Sequence, residues 1–357
     1  MCAMPTAPTA ICNRRRSGAS EPYREPATAE PLPRVAVLGA GAWGTAIASV
    51  LSTRLEVTLW AQKPGQAQAL ASTRRNERYL PGVEIPKAVA VTSDLSRAVL
   101  GAQLVLAATP VAGLRDVLQK LDTPLRLVWL CKGFEEGTGL LPHQIAAETL
   151  GDDSQAGVLS GPSFADEVAR GLPCALTLAS SDVAFARDSA ALLHGGRMRI
   201  YYSVDVVGVE IGGAVKNVMA IAAGISDGLG LGYNARAALI TRCIAEIARL
   251  SAALGGHPET AVGLAGAGDL ILTATGDLSR NRRVGLELAR GRALPEILAS
   301  LGHVAEGVRS AREVARIAAA RKVEMPVADA VSAVLDGRLA PAAAVERLLS
   351  RDAKRER

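Results

Sequence analysis

Aromatic residues make up only 3% of this 357-residue chain, so its core must be built from aliphatic side chains. Base-stacking surfaces that bind single-stranded nucleic acid are therefore not expected. Cysteine is also scarce: Cys2, Cys12, Cys131, Cys174 and Cys243 are odd in number and contain no C-x-x-C pair. That pattern excludes a disulfide framework and a structural zinc site, and it points to a reducing compartment, the cytoplasm. The four histidines, His143, His194, His257 and His303, are scattered without a metal-ligand spacing such as H-E-x-x-H. No metal is expected, and any proton chemistry should fall to another residue type. No apolar run reaches the roughly 18 residues of a membrane span. The best, residues 218–231, is short and contains Asp227, so membrane insertion is not expected. The formal charge of +5 sits partly at the ends, in Arg14, Arg15 and Arg16 and in residues 351–357. Without them little general attraction for nucleic acid or anionic lipid remains.

What is present is a chain long enough for two domains, 49% hydrophobic, with a mean hydropathy of +0.21. Residues 1–33 stand apart, being proline-rich and poor in aliphatics, with a basic cluster followed by Glu21, Glu25 and Glu30. They lack the continuous apolar segment of a secretory signal and read as a disordered tail.

Folding is expected to begin at Arg34. The apolar run 35–38 leads into Gly39-x-Gly41-x-x-Gly44, and a small-residue segment of helical character follows. Strand, turn and helix in this order suit a dinucleotide: Gly39 permits the tight turn, Gly41 admits a pyrophosphate close to the backbone, and Gly44 lets helix and strand pack closely. The pyrophosphate would sit at the helix N-terminus, where free amides and the helix dipole favour it. Further apolar runs at 57–60, 89–92, 104–108 and 127–131 are nearly continuous, as parallel strands covered on both faces require. Helical patterns lie between them, so residues 34–205 read as a Rossmann-like, doubly wound α/β sheet.

Ligands bind outside the carboxyl ends of such strands, which is where Lys132 falls, after residues 127–131. It can meet an anion or a carbonyl oxygen there, or it can be an ordinary solvated loop lysine. Ser160-Gly161-Pro162-Ser163-Phe164-Ala165 follows another apolar run and is, at the least, a Gly-Pro turn. From about residue 206 the pattern changes to long helices, expected at 207–225, 235–254, 280–290, 305–320, 327–335 and 342–349. Residues 206–350 thus form an all-helical substrate domain. Lys216 lies in the first of these helices, one turn after the small residues Gly212 and Gly213. A lysine buried there loses its proton readily and is a candidate proton donor. Ser279 reads as an N-cap, yet Arg280, Arg282 and Arg283 then place positive charge where the helix dipole disfavours it. An anion such as phosphate at that helix end accounts for the placement, as does a basic surface helix. The glycine-rich stretch 263–270, carrying Asp269, follows no clear strand and reads as flexible backbone near a substrate.

The segments G-A-G-A-W-G, C-K-G, S-G-P-S-F-A, V-K-N, G-A-G-D-L and S-R-N-R-R, in this order, closely resemble the bacterial-type NAD(P)-dependent glycerol-3-phosphate dehydrogenases, with Val304-Ala305-Glu306-Gly307 as a further match. The resemblance covers roughly residues 34–345 and implies reduction of dihydroxyacetone phosphate to sn-glycerol 3-phosphate, feeding phospholipid synthesis. It implies Lys216 as proton donor and acceptor, and Lys132 as a lysine touching cofactor and substrate. Gly161, Ser163, Asp269, Ser279, Arg280 and Asn281 are implied as substrate contacts. Ala42 and Trp43 beside the glycines, Ala165, Arg280, Val304 and Glu306 are implied as cofactor contacts. Gln62-Lys63 departs from the family's usual histidine-arginine pair, and the tail 1–33 has no counterpart there.

Chemistry and resemblance agree on a mechanism: Lys216 donates a proton to the carbonyl oxygen, Lys132 stabilises that oxygen, and Arg280 holds the phosphate. No carboxylate follows the second strand to hold a ribose 2′-hydroxyl, and Lys63 stands there instead, so NADPH is expected to serve at least as well as NADH. A solvated Lys63 remains the alternative. A homodimer acting on a small-molecule substrate is the expected assembly. Two rivals stay open at this point: a related β-hydroxyacid or ketopantoate reductase that recognises a carboxylate, and a nucleotide-sensing protein without turnover.

Overall fold

A computed structural model describes residues 32–122, 124–151, 154–301 and 305–350. The expected disordered tail therefore lies outside the described residues, apart from Leu32 and Pro33. Ten strands are present among these residues: β1 (Arg34–Leu38), β2 (Glu56–Trp60), β3 (Arg75–Asn76), β4 (Leu80–Glu84), β5 (Ala90–Thr92), β6 (Leu104–Ala107), β7 (Arg126–Trp129), β8 (Gln155–Ser160), β9 (Cys174–Ala179) and β10 (Met198–Ser203). Eight of them form one sheet in the order β10-β9-β8-β7-β6-β1-β2-β5, while β3 and β4 make a small hairpin. From β5 to β8 every neighbouring pair is parallel.

The fully apolar runs become central strands because helices cover both faces. Val35 and Val37 of β1 enter one core with Ile47 and Leu59, while Ala36 and Leu38 enter the opposite core with Leu114 and Trp129. After β1 the chain moves outward to β2 and returns to β6 on the other side. This order reversal opens a crevice at the carboxyl ends of β1 and β6. The sheet is not uniformly parallel, however: β9 and β10 are parallel to each other but antiparallel to β8. Both escaped the sequence reading because they lie at the sheet's margin, and β10, an edge strand, exposes Arg199, Tyr201 and Tyr202.

Beyond β10 the chain is helical. Asp205 starts the long helix Val206–Gly228 by accepting from Gly208 N at 2.9 Å, and it also accepts from His257 N (3.0 Å) and Thr260 Oγ1 (2.5 Å). This helix corrects the expectation of no membrane-length apolar segment. It spans 23 residues, and its most apolar 18-residue stretch has a mean hydropathy of 1.5, but 89% of that stretch is buried inside the protein, as befits a core helix. Helices Gly232–Ala253, Asp269–Thr275, Arg280–Ala289, Glu306–Ala320 and Pro326–Leu335 surround it. Their aliphatic residues, among them Val215, Met219, Ile247, Leu270, Val284 and Val331, form a third core.

Glycines set how closely these helices approach the central one. A Cβ on Gly212 would lie 2.6 Å from Ala265 O, and one on Gly224 only 2.0 Å from Arg282 O. The glycine-rich stretch 263–270 is accordingly not the loose turn expected. Leu264–Gly268 is a single π-helical turn running directly into helix Asp269–Thr275. There a Cβ on Gly266 would lie 2.2 Å from Ala261 O. Gly266 thus serves close packing of backbone on backbone.

Candidate active site

Each glycine of the turn after β1 has a separate physical reason. Gly39 adopts φ +120°, and an added Cβ would lie 2.8 Å from Ala108 O, so only glycine fits. At Gly44 a Cβ would lie 1.9 Å from Gly39 O, which brings helix Ala42–Leu51 onto the turn itself. At Gly41 a Cβ would meet no atom within 4 Å, so packing within the chain does not demand glycine there. Ala42 and Trp43 open the helix, whose first turn carries no acidic residue to occupy its amides. Two side chains that the sequence did not single out hold the turn from behind. Gln66 Nε2 and buried Asn76 Nδ2 both donate to Ala40 O, at 2.9 and 3.1 Å, and Asn76 also donates to Thr45 Oγ1 at 2.7 Å.

Lys63 is exposed and is the residue preceding helix Pro64–Thr73. It lines a groove of about 450 Å³ with Gln62, Gln66, Arg75, Asn76 and Arg78; Glu77, paired with Arg75, is the groove's one carboxylate. Three cations thus gather beside the glycine turn.

The carboxyl ends of the strands meet the central helix around Asp269, which is 1% exposed. Asp269 Oδ2 accepts from Lys132 Nζ at 2.5 Å and Oδ1 from Lys216 Nζ at 2.6 Å, so one carboxylate holds two ammonium groups. Lys132 Nζ also donates to Gly161 O (3.3 Å), and Lys216 Nζ to Thr273 Oγ1 (3.0 Å). Gly161 itself has φ +141°, and Ser163 Oγ donates to its carbonyl at 3.0 Å. Ala165 begins the short helix Ala165–Ala169. Thr273 was missed by sequence reasoning, although its position four residues after Asp269 places both on one helix face.

Burial lowers the Lys216 pKa to about 8; Asp269 opposes that shift and Lys132 reinforces it. Repulsion from Lys132 is thus a smaller influence than burial, the cause expected from the sequence. Burial pushes Asp269 upward, but Lys132 and Lys216 outweigh it and hold the carboxyl below its usual range. The buried hydroxyls of Thr109, just beyond β6, and Ser160, at the end of β8, find no hydrogen-bond partner among the described residues.

On the far side of Lys216 the next residue, Asn217, links two helix starts. Its Nδ2 donates to Glu306 Oε2 (3.1 Å), and its Oδ1 accepts from Asn281 Nδ2 (2.9 Å). Asn281 Oδ1 in turn accepts from Gly307 N at 3.0 Å. Asn281 and Glu306 are thereby tied to the residue that follows Lys216 in the central helix; Val304 lies outside the described residues. Ser279 does cap its helix, accepting from Arg282 N at 3.2 Å. The three arginines that follow differ in kind. Arg282 is neutralised by Asp227 (2.8 Å) and Asp277 (3.0 Å), whereas Arg280 and Arg283 are exposed and their side chains carry no hydrogen bond or ion pair among the described residues.

Comparison with known proteins places this geometry in context. Residues 34–186 match the family model described as NAD-dependent glycerol-3-phosphate dehydrogenase N-terminus, and residues 205–346 match that of its C-terminus. A glycerol-3-phosphate dehydrogenase (NAD(P)+) from Aromatoleum aromaticum is 60% identical over 329 residues, covering 90% of this chain and all of the relative. One from Dechloromonas aromatica is 58% identical, over 90% of this chain and 99% of the relative. The crystal structure of a glycerol-3-phosphate dehydrogenase from Coxiella burnetii, 41% identical, superposes with a TM-score of 0.85 over 90% of this chain and 99% of that one.

Proposed function

Because the chain belongs to the NAD-dependent glycerol-3-phosphate dehydrogenase family, we propose that the Lys132–Asp269–Lys216 cluster carries its chemistry. The protein is an NAD(P)-dependent oxidoreductase that reduces dihydroxyacetone phosphate to glycerol 3-phosphate. Its product feeds glycerophospholipid synthesis. The two rivals, a carboxylate-recognising reductase and a nucleotide sensor without turnover, give way to this family.

The residues around the crevice fit a dinucleotide: Gly41 leaves the backbone open, the helix beginning at Ala42 offers free amides, and Thr109 brings an orphaned hydroxyl. Gly39, Gly41, Ala42, Trp43 and Gly44 would hold the pyrophosphate; Lys63, Lys132, Ala165, Arg280, Val304 and Glu306 are assigned to the rest of the cofactor. When bound, the reduced nicotinamide supplies the hydride. Lys216, protonated below a pKa of about 8, gives its proton to the substrate oxygen. Lys132 hydrogen-bonds that oxygen, and Asp269 keeps both ammonium groups aimed and offsets part of their charge. Gly161, Ser163 and Asn281 border the substrate, and Arg280, exposed at the first position of the helix starting after Ser279, takes the phosphate.

The observation that carries this assignment is the single buried carboxylate shared by two lysines at the strand ends. Lys216→Ala should lower turnover by about 10²–10⁴-fold, the usual range for a general acid. Its NADPH affinity should stay near wild type; a variant that turns over normally removes the role.

Residues 34–205 are proposed as the cofactor-binding unit and 206–350 as the substrate unit, a division supported by the change from sheet to helix at Val206. The Lys63 groove, with Arg75 and Arg78, supports use of NADPH at least as readily as NADH, through attraction to a 2′-phosphate. Lys63→Glu should lose efficiency with NADPH selectively. A wild type confined to NADH would contradict the preference. A cytoplasmic homodimer is the proposed state, supported by the family's soluble chemistry and by exposed Tyr201, Tyr202 and Val204 near the sheet edge. A monomeric mass in solution would exclude it.

A further inference from the structure

Glu210 is buried in the central helix, six residues before Lys216, and no step of the reaction uses it. Its carboxylate nevertheless gathers three donors from the sheet side of the molecule. Oε1 accepts from Trp129 Nε1 at 2.8 Å and from His143 N at 2.9 Å, and Oε2 meets His143 Nδ1 at 2.5 Å. Trp129 is the last residue of β7, three positions before Lys132. His143 is the second residue of helix Pro142–Leu150, where a backbone amide has no intrahelical partner and a carboxylate is favoured.

The same stretch of central helix touches Lys132 at a second point. A Cβ on Gly213 would lie 3.3 Å from Lys132 Cγ and 3.0 Å from Ser160 Oγ. Glu210, Gly213 and Lys216 follow one another at intervals of three residues, so they share the helix side turned to the strand ends. A buried carboxylate costs free energy unless it is fully hydrogen-bonded. Burial indeed raises the Glu210 pKa, while His143 and Trp129 pull it down. Such a group is held in place by its partners, and it holds them in turn.

We infer that Glu210 is a positioning residue: by joining the end of β7 and the start of helix Pro142–Leu150 to the central helix, it sets the separation at which Lys132 and Lys216 share Asp269. Lys132 arrives on the strand and Lys216 on the helix, and no covalent path shorter than 84 residues connects them. Their relative placement therefore depends on contacts between the two elements. Gly213 permits the approach and Glu210 fixes its register. The inference rests on the assignment of Lys132 and Lys216 to catalysis.

The test compares steady-state kinetics of Glu210→Ala, Glu210→Gln and Trp129→Phe with dihydroxyacetone phosphate at saturating NADPH, alongside NADPH binding followed by fluorescence. Misplacing catalytic groups by about 1 Å costs on the order of 100-fold. Glu210→Ala should accordingly lower kcat roughly 10–100-fold while NADPH Kd stays within about twofold. Glutamine keeps an oxygen for Trp129 and the His143 amide and a donor for the neutral imidazole, so Glu210→Gln should recover kcat to within about threefold of wild type. Trp129→Phe removes one donor and keeps most of the packing; it should lower kcat by a smaller factor, again without moving NADPH Kd. An unchanged kcat in the alanine variant overturns the inference. So does a glutamine variant as impaired as alanine, or a fall in kcat matched by an equal loss of NADPH affinity. If Glu210→Ala does not fold, Trp129→Phe decides by the same readouts. Lys216→Ala run in parallel separates the two levels: turnover surviving there rejects the catalytic assignment itself, whereas its loss with intact Glu210 and Trp129 variants rejects only the positioning role.

Discussion

Asp269 shows how one residue does the work of several. Without it, two ammonium groups would face each other, and burial would drive Lys216 further toward the neutral form. With it, Lys216 keeps a pKa of about 8. Carbonyl reduction needs the protonated lysine, so kcat for reduction should hold below about pH 8 and fall above it, while the reverse oxidation, which needs a base, should rise over the same interval. Asp269→Asn removes the influence that raises Lys216, so the alkaline fall should move to lower pH. A pH–rate profile in both directions measures this, and an unmoved limb in the variant would show that Asp269 does not tune the lysine. Arg280 makes a complementary case. Its guanidinium is exposed and, like that of Arg283, unpaired among the described residues, whereas Arg282 is engaged by Asp227 and Asp277. Arg280→Ala should raise KM for dihydroxyacetone phosphate strongly and abolish the preference over unphosphorylated dihydroxyacetone; a retained preference counts against phosphate recognition.

At the scale of elements, the sequence was most legible where one physical demand dominates. The glycine turn was readable because a strand, a tight turn and a helix start must follow in that order, and the run 35–38 became β1 with every residue buried. The boundaries of the central helix were close to those read from its apolar spacing because its interior is packed on every side. Strands β9 and β10 were not readable: they form no uniform apolar run, and their direction is set by tertiary pairing. Nor did glycine content alone reveal that residues 264–270 are helical, because small residues for close packing and glycines for a loop look alike in sequence. The interlocked pair Gly224 and Gly285 makes the difference testable. A Cβ on Gly224 would lie 2.0 Å from Arg282 O, and one on Gly285 would lie 2.1 Å from Ile221 O. In an isolated helix Gly→Ala stabilises by up to about 1 kcal/mol. Here overpacking should prevail, and Gly224→Ala should destabilise by about 1–3 kcal/mol in chemical denaturation. A more stable variant would mean that the helices separate easily.

For the whole molecule, identity was legible and cooperation was not. Lys132, Lys216, Asp269, Ser279, Asn281 and Glu306 all stood out by residue type and family pattern. That Asp269 joins the two lysines, that Asn217 ties Asn281 to Glu306, and that Gln66 and Asn76 brace the glycine turn follow only from the folded arrangement. The distances along the chain explain why. The Asp269 bridges span 137 residues to Lys132 and 53 to Lys216, and the Asn217–Glu306 contact spans 89. Local pattern carries no trace of such pairings.

Those same spans set an order in time. Gly39 is fixed by a hydrogen bond to Trp60, only 21 residues away, so the cofactor turn closes with the first strands and helix. Asp269 must wait for the 137-residue span between it and Lys132 to collapse around the central helix, and long loops close at greater entropic cost. During that interval Lys132 and Lys216 lack their common counter-charge and repel one another, so the Lys132–Asp269–Lys216 cluster opposes its own assembly until helix Asp269–Thr275 docks. In refolding from denaturant, recovery of NADPH binding should precede recovery of turnover. Simultaneous recovery of both would mean that sheet and helices form in a single step.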